Sequence, residues 1–132
     1  MIKDLEKNAL EAFFEAIPIR MTFVDEENNI RAMNTEAWSR AGVKVEERLG
    51  TSILDCHSPA SAPKVMEVID DLMSGKEKAI KTLFITKKSK KVFREIYTAI
   101  RDKDGVYLGT LHVMYDISEG AQLKKDHEKP QS

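Results

Sequence analysis

Residues 93–118 read FREIYTAIRDKDGVYLGTLHVMYDIS, and how this stretch divides decides the fold. Val92, Arg94, Ile96, Thr98 and Ile100 alternate with Phe93, Glu95, Tyr97 and Ala99, a period of two that specifies an extended strand. Leu108, Thr110, His112 and Met114 alternate in the same way with Tyr107, Gly109, Leu111, Val113 and Tyr115. Between the two runs, residues 102–105 supply Asp and Gly, the residues of a tight turn. The stretch is therefore a hairpin of two long strands.

Working back toward the N-terminus, residues 79–86 form a third alternating run, with Thr82, Phe84 and Thr86 out of phase with Leu83 and Ile85. A turn at residues 87–90 joins it to the hairpin, and its lysines (Lys87, Lys88, Lys90 and Lys91) read as a solvated tip. Residues 61–73 change period. Val65, Met66, Ile69, Leu72 and Met73 recur at spacings of three and four, the mark of an amphipathic helix. Ser58 or Ser61 can cap that helix, the prolines near its start are tolerated there, and Ser74-Gly75 ends it. Residues 43–59 look like short helical turns broken at Gly50 and Pro59.

Earlier still, Asn34 or Thr35 can cap a short helix with Ala37, Trp38 and Ala41 facing inward, closed by Gly42. Residues 19–34 read as a hairpin whose tight turn uses Asn28-Asn29 for left-handed backbone. Residues 1–17 form an amphipathic helix with an apolar stripe of Ile2, Leu5, Leu10, Phe13, Phe14 and Ile17, and Pro18 stops it. The order is helix, two strands, short helices, one longer helix, three strands. Elements grouped this way imply an α+β fold with a five-stranded antiparallel sheet, short helices on one face and an N-terminal amphipathic helix. A sheet curled against short helices leaves a concavity, where small ligands usually sit.

The totals narrow the function classes. A chain of 132 residues suits one domain and buries roughly two-thirds of its unfolded surface. With 21 basic and 22 acidic residues, the net charge of −1 offers no basic footprint for nucleic acid. No apolar run approaches the roughly 20 residues of a membrane span, and the N-terminus lacks the apolar core of a secretory signal. The single cysteine makes no internal disulfide. The expectation is a cytoplasmic protein, either whole or one domain of a longer chain.

Three segments together carry a resemblance. FVDEENNIRAMN (23–34), EERLGTSILD (46–55) and the 93–118 hairpin resemble, in order and spacing, the segments of a PAS domain. The resemblance spans residues 18–119, leaving 1–17 as a flanking helix and 120–132 as a polar, fraying tail. It implies a sensory or regulatory module in signal transduction, not an enzyme. Such a module binds a small ligand between sheet and helices and signals through a partner protein or a homodimer formed by the N-terminal helix.

Within the family, GTSILDCHSPAS (50–61) is similar to a haem-binding subgroup in which a histidine just before the long helix ligates iron. That similarity implies haem b with His57 as axial ligand. The last strand of that subgroup carries a tryptophan; the matching position here is Met114, or His112 if the register slips. Met66, Met73, Ile69, Leu83, Phe84, Ile96 and Met114 are core residues that would also wall a pocket, with Trp38 beside them. Arg94, Lys64 and Thr51 are candidates for the propionates. A flavin photosensor is disfavoured: Ile53 occupies the reactive-cysteine position, and Cys56 comes three residues later. Four readings stay open: a ligand-binding sensor, a haem gas or redox sensor, a small enzyme working through Cys56 and His57, and an interaction module with a filled core. The plainer roles stay open too, with His57 bonding within a turn, His112 half-exposed on a strand, Cys56 a small buried residue and His127 solvated.

Overall fold

The computed structural model describes residues 1–120 and 126 of the chain. The described chain runs α1 (Lys7–Ala16), β1 (Arg20–Asp25), β2 (Ile30–Met33), α2 (Thr35–Ala41), α3 (Val45–Arg48), a 3-10 turn (Ile53–Cys56), α4 (Ala62–Met73), β3 (Ala79–Ile85), β4 (Val92–Arg101) and β5 (Tyr107–Asp116). The strands form one antiparallel sheet in the order β2-β1-β5-β4-β3. The two longest strands, read first from sequence, pair with each other near the middle, and the first hairpin docks onto β5. This is the expected α+β architecture.

Two turn chemistries fix the hairpins. Asp25 Oδ1 accepts from the N–H groups of Glu27 and Asn29 at 2.9 and 3.0 Å, and its Oδ2 accepts from Arg31 Nε. Asn28 takes the left-handed conformation at φ 68°, one of the two positions expected to do so. In the β4–β5 turn, Asp102 Oδ1 accepts from Asp104 and Val106 at 2.9 and 3.0 Å. Arg101 then reaches back, donating from Nη2 to the carbonyls of Leu72 and Met73 at 3.1 and 2.9 Å. The guanidinium caps the last carbonyls of α4 and ties that helix to the hairpin.

Asn34 joins three elements. It is fully buried, and its amide makes four hydrogen bonds. Nδ2 donates to the carbonyls of Ile17 and Ile19 at 3.2 and 2.7 Å, and Oδ1 accepts from Met21 and from Ala37 at 3.0 Å each. One side chain thus caps α2, as expected, and also holds the end of α1 and the start of β1. The core around it is small: Val24, Ile30, Ala37, Val68, Ile69, Leu72 and Phe93 are buried, with Ile30 and Leu72 sealed off completely. Val68, Ile69 and Leu72 are the face that α4 turns to the sheet.

Several details differ from the sequence reading. α1 starts at Lys7, not near residue 2; Asp4 sits at φ 56°, which breaks a helix, and Ile2 and Leu5 are left exposed outside it. Phe13 is also exposed, so the half-buried side of α1 is Leu10 and Phe14. Ala41 faces solvent, because α2 is too short for its last turn to come back to the core. Ser61 takes the N-cap position of α4 without bonding it; its hydroxyl instead reaches Ser58. Leu83, Phe84 and Ile85 are exposed at the end of β3, the free edge of the sheet. Residues 118–120 and Asp126 are helical, and residues 121–125 and 127–132 of the expected polar tail, His127 included, lie outside the described residues.

Candidate functional site

The register of β1, β5 and β4 sets which side chains meet α4. Thr22 pairs with His112, and His112 with Tyr97; Val24 pairs with Thr110, and Thr110 with Ala99. One sheet face therefore carries Val24, Thr110, His112, Tyr97 and Glu95. Opposite it, α4 presents Val65, Val68 and Ile69, and the 3-10 turn brings Ile53 and His57 to the rim. Between them lies a cavity of about 100 Å³ lined by Val24, Ile53, Val65, Val68 and Ile69, with Tyr97, Thr110, His112 and His57 as its polar members. Its walls are mainly apolar, with a few convergent polar groups, the usual make-up of a ligand site.

His57 caps the 3-10 turn, and its Nδ1 lies 3.0 Å from the Ile53 carbonyl. A carbonyl only accepts, so Nδ1 carries the proton in this bond, and the neutral ring keeps its lone pair on Nε2. His112 stacks on Tyr97, with ring centroids 4.5 Å apart and planes 11° apart. Its Nε2 is buried and has no hydrogen-bond partner among the described residues; Glu95 Oε1 lies 4.0 Å away. Glu95 Oε2 is engaged, accepting from Tyr97 OH at 3.0 Å and Thr82 Oγ1 at 3.2 Å. Thr110 Oγ1 pairs with Tyr107 OH at 2.6 Å.

Burial pushes the His112 pKa down; Glu95 opposes that shift, while His57 and Arg20 add to it. The ring is therefore held neutral at neutral pH. Burial likewise raises the Tyr97 pKa, and the Glu95 charge and hydrogen bond raise it further, which keeps the phenol a donor.

Of the residues singled out from sequence, the structure brings His57, Ile69 and His112 together at this cavity. Met114 shares the sheet face of His112 but lines a separate groove with Arg20, Arg40 and Phe93. Arg94 and Ile96 lie on the opposite sheet face, Ile96 paired with Val113 and Lys81. Met66 and Trp38 are half-buried away from the cavity. Lys64 is ion-paired with Glu67 on the surface, and Thr51 bonds the Arg48 carbonyl at 2.7 Å. Cys56 is exposed rather than buried; its sulfur accepts from Arg48 Nη1 at 3.0 Å, apart from the His57 bond to Ile53.

Tyr97, Thr110, Val24, Val65 and Val68 were missed. The available signal was the pair Glu95 and Tyr97, which occupies one face of β4 and satisfies itself there with Thr82. Among the described residues, no three His, Cys, Asp or Glu side chains cluster so as to hold a metal ion, and no helix is long and apolar enough to cross a membrane.

Comparison with known proteins agrees with this geometry. The family model for the PAS domain matches residues 10–118. This chain belongs to the PAS domain family. Among solved structures, it is similar to a C-terminal domain from Streptococcus mutans, with 22% identity, a TM-score of 0.78, and 93% of this chain and 95% of that one covered. It is also similar to a sensory box sensor histidine kinase from Vibrio cholerae, at 18% identity and a TM-score of 0.65, covering 85% and 91%. A third is the Aer2 receptor from Vibrio cholerae, described as a dual PAS-heme oxygen sensor, at 19% identity and a TM-score of 0.56, covering 75% and 94%. No curated protein matches the sequence.

Proposed function

We propose that the chain is a sensory module of a cytoplasmic signalling pathway and that it binds a small ligand in the cavity beside His57, Tyr97 and His112. The observation that carries this reading is the cavity itself, an apolar space on the central strands where several polar groups converge. Bound ligand would favour one packing of α4 on β4 and β5, and the flanking helix α1 would pass the difference to a second copy or a partner protein. A binding role suits Cys56 and His57 better than catalysis, since their side chains engage different partners, Arg48 and the Ile53 carbonyl, rather than each other.

The test is thermal-shift screening of the whole chain beside Ile69→Trp, whose larger ring fills the space. Compounds that stabilise the parent and not the variant support the reading. A parent that responds to none, and retains no small molecule in native mass spectrometry, leaves the interaction module in its place. Light scattering on both ligand states tests the homodimer.

A haem sensor is the second reading. His57 favours it: the ring donates from Nδ1 to a carbonyl and keeps Nε2 free, the arrangement common in histidine ligands. The Aer2 likeness points the same way. The space does not fit, because about 100 Å³ is well below the several hundred Å³ of pockets that enclose large ligands. A Soret band in protein from haem-supplemented cells, lost in His57→Ala, would favour haem; a colourless protein that takes up no haemin would remove it.

A further inference from the structure

We propose that the outer edge of β3 is a docking site for an extended, acidic segment of a partner protein, which joins the sheet there as an added strand. The site is separate from the cavity, and the proposal does not depend on the ligand reading above.

The backbone supplies the first half of the site. β3 pairs with β4 alone. At one end, Ala99 N–H donates to the Lys78 carbonyl at 3.1 Å; at the other, Thr86 N–H donates to the Lys91 carbonyl at 3.0 Å. Both ends thus turn the backbone of even-numbered residues toward β4, and the unbroken register between them carries that alternation along the strand. The N–H and C=O groups of Ala79, Lys81, Leu83 and Ile85 therefore point away from the sheet, where one more strand can pair with them. No bulge interrupts this register, and β3 contains no proline.

Side chains supply the second half. Phe84 shares the inner face with Phe93, their ring centroids 6.5 Å apart, while Leu83 and Ile85 lie on the outer face. Leu83 is 57% exposed, Phe84 47% and Ile85 60%, so an added strand gains apolar contact on both faces.

Charge names the occupant. Residues 78–91 hold six lysines and no acidic residue, and no ion pair engages any of these lysines among the described residues. A second copy paired antiparallel over Leu83–Ile85 would lay each lysine turn beside Lys78 or Lys81 of the other molecule, like charge against like. A lipid surface would suit the lysines and the apolar tip, but it would bury the outward N–H and C=O groups without partners. An acidic extended peptide meets all three demands at once: it pairs the backbone, covers the apolar side chains and neutralises the lysines.

The experiment is a heteronuclear NMR titration of the full chain in dilute salt with a short peptide that has a Val-Thr-Val-Thr-Val centre between pairs of glutamates. The proposal expects saturable shifts and slowed amide exchange at Ala79, Lys81, Leu83 and Ile85. The same peptide ended by lysines should bind at least about tenfold more weakly, and raising salt to about 0.5 M should narrow the difference. Leu83→Pro deletes one outward N–H and no bond to β4, so it should abolish binding while the β4 and β5 signals stay in place. If that variant does not fold, Lys87→Glu with Lys88→Glu, both in the solvated turn, decides instead, and should weaken the acidic peptide severalfold. No saturable shift at residues 79–85, or equal binding of the two peptides, overturns the proposal. So do two rival outcomes: shifts at these residues with phosphatidylserine vesicles and not with the peptide, which give the edge to a lipid surface, and a dimer in the same buffer that Leu83→Pro dissociates, which gives it to a second copy.

Discussion

The imidazole of His112 lies flat on the Tyr97 ring, 4.5 Å from it and nearly parallel, because the two residues are direct partners across β4 and β5. Burial holds His112 neutral, against the opposing pull of the Glu95 carboxylate. The folded pKa lies below the ordinary 6.5, so on acidification the unfolded chain takes up a proton at this site before the folded one does. Stability contributed by His112 is thus present above 6.5 and is lost as pH falls from there toward the folded pKa. Thermal unfolding followed between about pH 7.5 and 5.5 should show the parent losing stability faster than His112→Phe. Parallel curves would mean that the ring titrates alike in the folded and unfolded chain, with no downward shift.

Asp25 should act in a separate, more acidic window. Burial raises its pKa, but the Arg31 hydrogen bond and the Asn29 and Glu27 N–H groups outweigh this and hold it below 3.8. Its contribution is present above 3.8 and falls away as pH drops through the folded value. In Asp25→Asn, the acid limb of a stability-versus-pH curve should be shallower below that point.

Asn34→Ala removes a helix cap and strips partners from two carbonyls and two N–H groups. Adding the cap to one or more buried unpaired groups gives a loss of about 3 kcal/mol, readable from urea denaturation. Asn34→Asp should be no better, since it keeps the acceptor but aims a carboxylate at the carbonyls of Ile17 and Ile19.

Gly109 pairs with Asp25 at φ 152°, and a Cβ there would lie 2.1 Å from the Val24 carbonyl and 2.7 Å from the Phe23 ring. Backbone cannot yield as a flexible side chain can. Gly109→Ala should therefore cost at least about 2 kcal/mol and loosen the β1–β5 ladder, seen as faster amide exchange in both strands.

Much of the fold was legible because it rests on local chemistry. Asp102 and Gly105 marked a turn, Asn34 and Gly42 bracketed a helix, and the period of two survived in β4 and β5. The inward face of β4 was not legible. Its two alternating sets are both mixed, and the inward one is the set containing Glu95. A carboxylate reads as solvent-facing until its partners are known, and Thr82 and His112 come from other strands. The same reason hid Tyr97 and sent Arg94 and Ile96 toward the pocket. His57 and His112 were found as residues, but their meeting at one cavity depends on register and on the 3-10 turn, neither of which composition specifies. Leu5 and Ile2 fitted a helical stripe by spacing, yet backbone at Asp4 ended the helix first.

The exposed end of β3 has a consequence for handling the protein. Leu83, Phe84 and Ile85 sit on a strand whose outer hydrogen-bonding edge faces water, and Lys87, Lys88, Lys90 and Lys91 stand in the adjoining turn. Free edges of this kind invite strand-to-strand stacking between molecules, and lysines keep like surfaces apart by repulsion. That repulsion fades as salt shortens the screening length to a few ångströms. Colloidal behaviour should therefore run against intuition for a nearly neutral chain: dilute buffer keeps it dispersed, while molar salt, or acetylation of these four amines, brings on turbidity that begins at this corner.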